Sequence, residues 1–385
     1  MPRYPNPVKS KLPKVGTTIF TVMSALANEH GAINLSQGFP DFNCSPELVK
    51  LVNHHMKAGR NQYAPMQGIP ALRKRISEKI EDAYSIAYDP DTEITVTAGA
   101  TQAIYSAISA VVREGDEVIV FEPAYDCYVP AIELNGGIPV YIQLKPPHYN
   151  IDWNMVKKMI SHRTRMIMIN TPHNPTGTIL TASDLVQLEK ITKNTEILIL
   201  SDEVYEHLIF DNVEHQSVCR FPKLAERSFV IYSFGKTYHT TGWKIGYCLA
   251  PANLMAEFRK VHQFQVFCAN TPIQLALADF MAEKNEYKNL PKFFQKKRDL
   301  FLKLIKTSRF KAVPAAGSYF QLLDYSKISQ EKDTDFAIRV TKEFGVASVP
   351  VSVFYHEPYD KRLLRFCFAK EDETLEKAAE KLCRI

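Results

Sequence analysis

An α/β protein with a mostly parallel sheet, joined to a smaller α+β domain, is what the 385-residue sequence predicts. Three observations carry that expectation. Four short apolar runs, Val118–Phe121, Met166–Ile169, Ile197–Leu200 and Phe229–Ser233, have the length of strands buried on both faces. Helical segments separate them, and strands alternating with helices imply parallel pairing with helices on both faces. After about Pro251 the pattern is helical through Lys306, and the remainder alternates short strands and helices.

In chain order, residues 1–16 carry Pro2, Pro5, Pro7 and Pro13 among lysines, which suits an extended arm, of a kind that often lies on a neighbouring subunit. An apolar pattern (Ile19, Met23, Leu26, Ala27) predicts a helix over 17–29, stopped by Gly31, and Ile33–Leu35 reads as a short strand. In the loop Ser36–Phe42, Gly38 serves either a tight turn or a close backbone approach to a ligand. Helices are expected over 46–58 and 69–84, with the turn-rich Asn61–Gly68 between them. Ile94–Thr97 is a strand running into Ala98–Gln102 and an apolar helix to Val112. Such a strand-turn-helix junction can bind an anion at the helix N-terminus, or Thr101 can simply cap the helix. Tyr247–Leu249 is a further candidate strand. Pro272 and Pro291 mark helix boundaries in the helical stretch. The last third then predicts strands near 310–313, 319–323, 347–353 and 363–368, a helix over 335–344 and a final helix from about Glu371. The domain division expected is 1–45 as arm and part of the small domain, 46–280 as the large domain, and 281–385 as the small C-terminal domain.

Bulk composition narrows the function. Hydrophobic content of 45% with 23% charged residues is that of an ordinary globular protein, and a net charge of +5 spread along the chain gives little support to nucleic-acid binding. Gln295–Arg298 reads as a solvated helix face. Seven cysteines without a C-x-x-C pair favour free thiols and a reducing compartment, so the cytoplasm is expected. No H-E-x-x-H pattern occurs, and no catalytic metal is expected. No apolar run approaches the ~20 residues a membrane span needs, and the N-terminus has no signal-peptide core.

The polar residues Thr101, Tyr125, Asn174, Asp202 and Lys236 all fall just after predicted strand ends, the edge where open α/β sheets bind ligands. Lys236, at a strand end beside small residues and a second cation at Lys244, is placed to be desolvated into an amine nucleophile for Schiff-base chemistry. A phosphate loop ending in Gly235–Thr237 is excluded, because the position five before Gly235 is Val230. A solvated surface lysine is the plain alternative.

His173–Gly177, Ser201–Tyr205 and Ser233–Thr237, in this order, resemble the cofactor signature of class I pyridoxal-5′-phosphate (PLP) aminotransferases, whose fold is the PLP-dependent transferase fold type I. Ser36–Phe42, Asn61–Tyr63, Glu122–Tyr128 and Arg365–Phe368 resemble the kynurenine/glutamine aminotransferase branch, and the bacterial methionine aminotransferases most closely. The resemblance runs over nearly the whole chain.

It implies PLP as cofactor, amino-acid and 2-oxo-acid substrates, and a homodimer. Lys236 would carry PLP and then move the substrate proton. Asp202 would pair with the pyridinium nitrogen, Tyr205 and Asn174 would meet the ring hydroxyl, and Tyr125 would stack on the ring. Ser233, Lys244, Ala100 and Thr101 would hold the phosphate, with Tyr63 reaching it from the other subunit. Many relatives have arginine where Lys244 stands. Arg365 would bind the substrate α-carboxylate, helped by Gly38 and Asn174. Glu122–Pro123 and Asn174–Pro175 are the expected cis peptides. The side-chain pocket would comprise Ile19, Phe20 and Tyr63, with Phe267 from the partner, which favours an uncharged side chain such as methionine. Cys268 stands where some kynurenine-preferring relatives have histidine, which weakens that substrate. The alternatives are a kynurenine/glutamine aminotransferase with cysteine-conjugate carbon-sulfur β-lyase activity, and a non-catalytic PLP-fold binding protein.

Overall fold

A computed structural model describes residue 2 and residues 4–385. Among the described residues there are twelve strands: β1 (Ile33–Asn34), β2 (Ile94–Thr97), β3 (Glu117–Glu122), β4 (Ile138–Gln143), β5 (Thr164–Asn170), β6 (Leu198–Asp202), β7 (Ser228–Ser233), β8 (Gly246–Leu249), β9 (Phe320–Asp324), β10 (Val346–Ala347), β11 (Val349–Pro350) and β12 (Leu363–Cys367). Seven of them form one sheet in the order β2-β8-β7-β6-β5-β3-β4. The run from β4 to β7 is parallel throughout. The seventh strand differs from the simple reading, since β8 is antiparallel to both neighbours.

Alternation along the buried strands feeds two apolar layers. Val118 and Val120 pack with Met166, Met168 and Ile231 on one face, while Ile119 and Phe121 pack with Ile167, Ile169 and Val230 on the other. This two-sided burial explains why the strands read as unbroken apolar runs. Helix Ala100–Val111 crosses beneath β6, β7 and β8, and helices Pro70–Tyr84 and Ala252–Gln265 cover β2.

The smaller sheet is antiparallel, in the order β11-β12-β9. β1 pairs in parallel with β10, which brings the residues after the first helix back to the C-terminal part of the chain. On that pairing we propose the division into 1–45 with 281–385, and 46–280.

Three local expectations change. β4 was not anticipated; it is an edge strand with Pro139 and a half-exposed pattern, so it lacks the apolar run that marks its neighbours. Residues 310–313 form no strand, only a bridge from Lys311 to Asp324. The stretch 347–353 breaks into β10, β11 and a short 3-10 turn, Val351–Phe354. Glu122–Pro123 and Asn174–Pro175 are cis, as are Pro146–Pro147 and Thr171–Pro172.

Candidate active site

A cavity of about 230 Å³ opens at the carboxyl ends of the parallel strands, and every predicted site residue except Ile19, Tyr63 and Phe267 lines it. Lys236 follows β7 on the short helix Phe234–Thr237. The chain can turn tightly there because residue 235 is glycine; a Cβ would lie 3.0 Å from Thr241 Cα. The residue is half-buried on the cavity wall, with its amine end enclosed, and burial pulls the amine down to about 8. Nζ donates to the Gly38 carbonyl at 3.0 Å and lies 2.8 Å from the Tyr319 hydroxyl.

Asp202 closes β6. Its Oδ2 accepts from the Tyr128 hydroxyl at 2.5 Å and its Oδ1 from Val204 N at 3.3 Å. Burial outweighs both donors and pushes the carboxyl up to about 6. A cationic ring N–H is the kind of partner that would restore its charge. Asn170, at the end of β5, donates to the Asp202 carbonyl at 2.8 Å and accepts from Asn174 N at 2.8 Å, so it ties two predicted site residues together. Tyr205 stands edge-on to Tyr319 with centroids 5.1 Å apart.

Arg365, on β12, is 1% exposed. It donates to Asn174 Oδ1 at 2.7 Å and to the Ser36 carbonyl at 2.8 Å, leaving the buried Nε without a partner. Its guanidinium lies over Phe320 at 3.9 Å and near Phe20 at 5.1 Å and Phe354 at 5.5 Å. Burial among these rings lowers its pKa to about 10. A buried cation bonded only to neutral oxygens, with its Nε unbonded, suits an incoming carboxylate.

At the other end of the cavity lies the N-terminus of helix Ala100–Val111. Thr101 is not its cap: that position is Gly99, at φ 84 and ψ 169, without a side-chain bond. The first N–H groups of the helix therefore point outward with the positive end of the macrodipole. Lys244 adds a full charge; its Nζ lies 3.4 Å from where a Cβ on Gly99 would sit. With Ser233 on the same wall, this end suits a phosphate.

The nearest constraint on Gly38 is different from either reading of the loop: a Cβ there would lie 2.7 Å from Phe320 Cζ. Phe20 reaches the wall from helix Ile19–Glu29, its carbonyl held by Gln37 Nε2 at 3.2 Å. Ile19 packs into the core instead. Tyr63 is 83% exposed and touches Phe267 edge-on at 5.2 Å, so neither contributes to the cavity of its own chain. Sequence reasoning assigned no role to Tyr128, Asn170, Tyr319, Phe320 or Gln37. Tyr128 and Gln37 lay inside the quoted segments and Tyr319 and Phe320 inside a predicted strand, but nothing local marked their contacts.

An enclosed amine, a buried carboxyl, a helix N-terminus beside a lysine and a guanidinium with its Nε unbonded around one cavity fit the donor set of a PLP enzyme acting on amino acids. The chain belongs to the class I and II aminotransferases, PLP-dependent enzymes, and that family matches residues 30–382. It is 51% identical over 378 residues to a methionine aminotransferase of Escherichia coli K12, covering 98% of each chain. A human kynurenine–oxoglutarate transaminase 1 is 32% identical, covering 93% of each. Among solved structures, an Escherichia coli protein reported with a methionine aminotransferase function superposes with a TM-score of 0.97, covering 99% of this chain and 100% of its own.

Proposed function

We propose that this aminotransferase takes methionine as its amino donor, with tolerance for other neutral and aromatic amino acids, and passes the amino group to a 2-oxo acid. The observation that carries the reading is the buried Arg365 guanidinium, short of a hydrogen-bond partner and facing the same cavity as the Lys236 amine. Phe20 and Phe320 give the adjoining wall an apolar character, and the 51% identical relative is named for methionine.

Bound PLP supplies an electron sink for the substrate α-carbon. The protein's residues do the rest. Arg365, with Asn174 and the Gly38 backbone, fixes the α-carboxylate and so orients the α-proton. Lys236 would hold the cofactor covalently, and its freed amine would take the α-proton and return it to the cofactor carbon that shares the amino nitrogen. Asp202 would keep the ring nitrogen protonated. Tyr205 and the Asn174 amide nitrogen would steady the ring hydroxyl, Tyr125 would stack on the ring, and Ser233, Lys244, Ala100 and Thr101 would hold the phosphate. The exposure of Tyr63 and Phe267 supports a homodimer in which each supplies the partner's site. All seven cysteines are free thiols, which supports the cytoplasm as the compartment.

The test is the absorbance of PLP-loaded protein before and after adding L-methionine without any oxo acid. Loss of the lysine-bound cofactor band with appearance of pyridoxamine phosphate is expected. An unchanged band would overturn methionine as donor; release of pyruvate and thiol from a cysteine conjugate would favour the β-lyase instead. Lys236→Ala should not turn over, and full turnover by it would sink the assigned chemistry.

A further inference from the structure

We infer that the Tyr319 hydroxyl and the Gly38 carbonyl form a cradle that receives the Lys236 amine whenever the lysine is free of the cofactor, and that Tyr319 is a positioning residue for the proton transfer. The inference rests on the aminotransferase reading above and adds a residue to it.

Nζ of Lys236 lies 2.8 Å from the Tyr319 oxygen and 3.0 Å from the Gly38 oxygen, and Tyr319 itself donates to Gly38 O. The three atoms close a triangle that suits both states of the amine. An ammonium donates to both oxygens while the phenolic hydrogen points at Gly38. A neutral amine keeps one N–H on Gly38 and takes the phenolic hydrogen on its lone pair, which needs only a rotation about the C–O bond. An acceptor alone could serve the first state and not the second.

The cradle is rigid apart from that hydrogen. Tyr319 is 1% exposed, and its ring is packed against Tyr205 at 5.1 Å, Phe320 at 5.0 Å and Phe294 at 6.0 Å. On the Gly38 side, the flanking carbonyls of Ser36 and Phe39 are held by Arg365 at 2.8 Å and Lys370 at 2.9 Å. A displaced lysine has four rotatable carbons and would otherwise sample many positions; held here, it stays on the wall that the substrate carbon faces. The phenolic hydrogen first turns from Nζ to Gly38 O, which frees the lone pair, and the amine then takes the proton and becomes the ammonium. When the proton leaves, the hydrogen turns back.

The test uses Tyr319→Phe, which keeps the packed ring, with Tyr319→Leu as a second variant. In the cofactor-free protein, the pH dependence of acetylation at Lys236, read by mass spectrometry of its peptide, gives the amine's titration midpoint. The bond accepted from the ammonium is charge-assisted and stronger than the one given to the neutral amine, so removing the hydroxyl should lower that midpoint by about one pH unit. In the PLP-loaded protein, the half-reaction at saturating methionine should slow roughly tenfold with KM nearly unchanged, and the rate effect of deuterium at the methionine α-carbon should grow. Either an unmoved midpoint or an unmoved half-reaction rate overturns the cradle. If the unsubstituted enzyme fails to react with methionine, the substrate reading falls, and the acetylation midpoint still decides for or against Tyr319.

Discussion

Asp202 is held where burial works against the charge its proposed role requires. In the cofactor-free protein its carboxyl is pushed up to about 6, above the 3.8 of an exposed aspartate. A folded-state pKa raised for an acid means that the native form binds the extra proton, so stability falls as pH rises from about 4 to about 6 and stays lowered above that. Asp202→Asn removes the titration. The cofactor-free variant should therefore gain on the unsubstituted protein by on the order of 3 kcal/mol between pH 4 and pH 7, read from urea unfolding midpoints. With PLP bound the order reverses. The amide offers no charge to the ring nitrogen, and transamination should drop by about two orders of magnitude, as loss of one partner in a buried pair implies. Equal pH slopes for the two cofactor-free proteins would remove the burial argument. Asp202, Asn174, Tyr205, Lys236 and Arg365 were legible because each sits in a short run whose order along the chain carries information. Tyr128 and Tyr319 were not, because their meaning lies in partners 74 and 83 residues away, Asp202 and Lys236.

The junction of β2 with helix Ala100–Val111 shows the same limit for elements. The sequence made the strand, the small-residue turn and the helix visible, and it left open whether Thr101 capped the helix or the helix end bound an anion. Gly99 decides the first half: φ 84 with ψ 169 is a region essentially reserved for glycine, so the cap is backbone without a side chain. Gly99→Ala should cost about 1–3 kcal/mol of strain, and its methyl would press on Lys244, 3.3 Å from Cε. Weaker PLP binding with a lowered melting temperature is the expected result, and unaltered affinity would show that Lys244 and the helix end do not act together. β4 escaped notice for a related reason: an edge strand has one neighbour, and half-exposed positions need not be apolar. The direction of β8 was equally hidden, since a four-residue buried run looks alike read either way.

For the whole molecule, the one predicted cofactor-binding residue outside the cavity is Tyr63, and its exposure fits a contribution to a second copy. Mixing makes this measurable. In the proposed homodimer, Tyr63→Ala removes the tyrosine from both sites and Lys236→Ala removes the lysine from both. Exchange of subunits creates one site with both residues, so activity should rise on mixing above the mean of the two stocks. No rise after verified exchange would place Tyr63 outside the site. Strands β9 and β12 of the smaller sheet were legible as short apolar runs in the last third of the chain. The return of β1 to β10 was not, because two-residue strands leave no periodicity to read.

The loop that carries Lys236 also carries Lys244, and its ends are clamped by the pairing of Ser233 with Gly246 and by Phe234 N on the Ile245 carbonyl at 3.1 Å. The proposed covalent anchor and the proposed counter-charge for the phosphate are thus two points on one short closed segment, spaced by the antiparallel β7–β8 pair. Opening of that pair would disturb both points in a single event. The visible colour of the bound cofactor then reports more than occupancy: its loss on gentle heating and hydrogen exchange at the Tyr247 and Cys248 amides become two readings of one local unfolding.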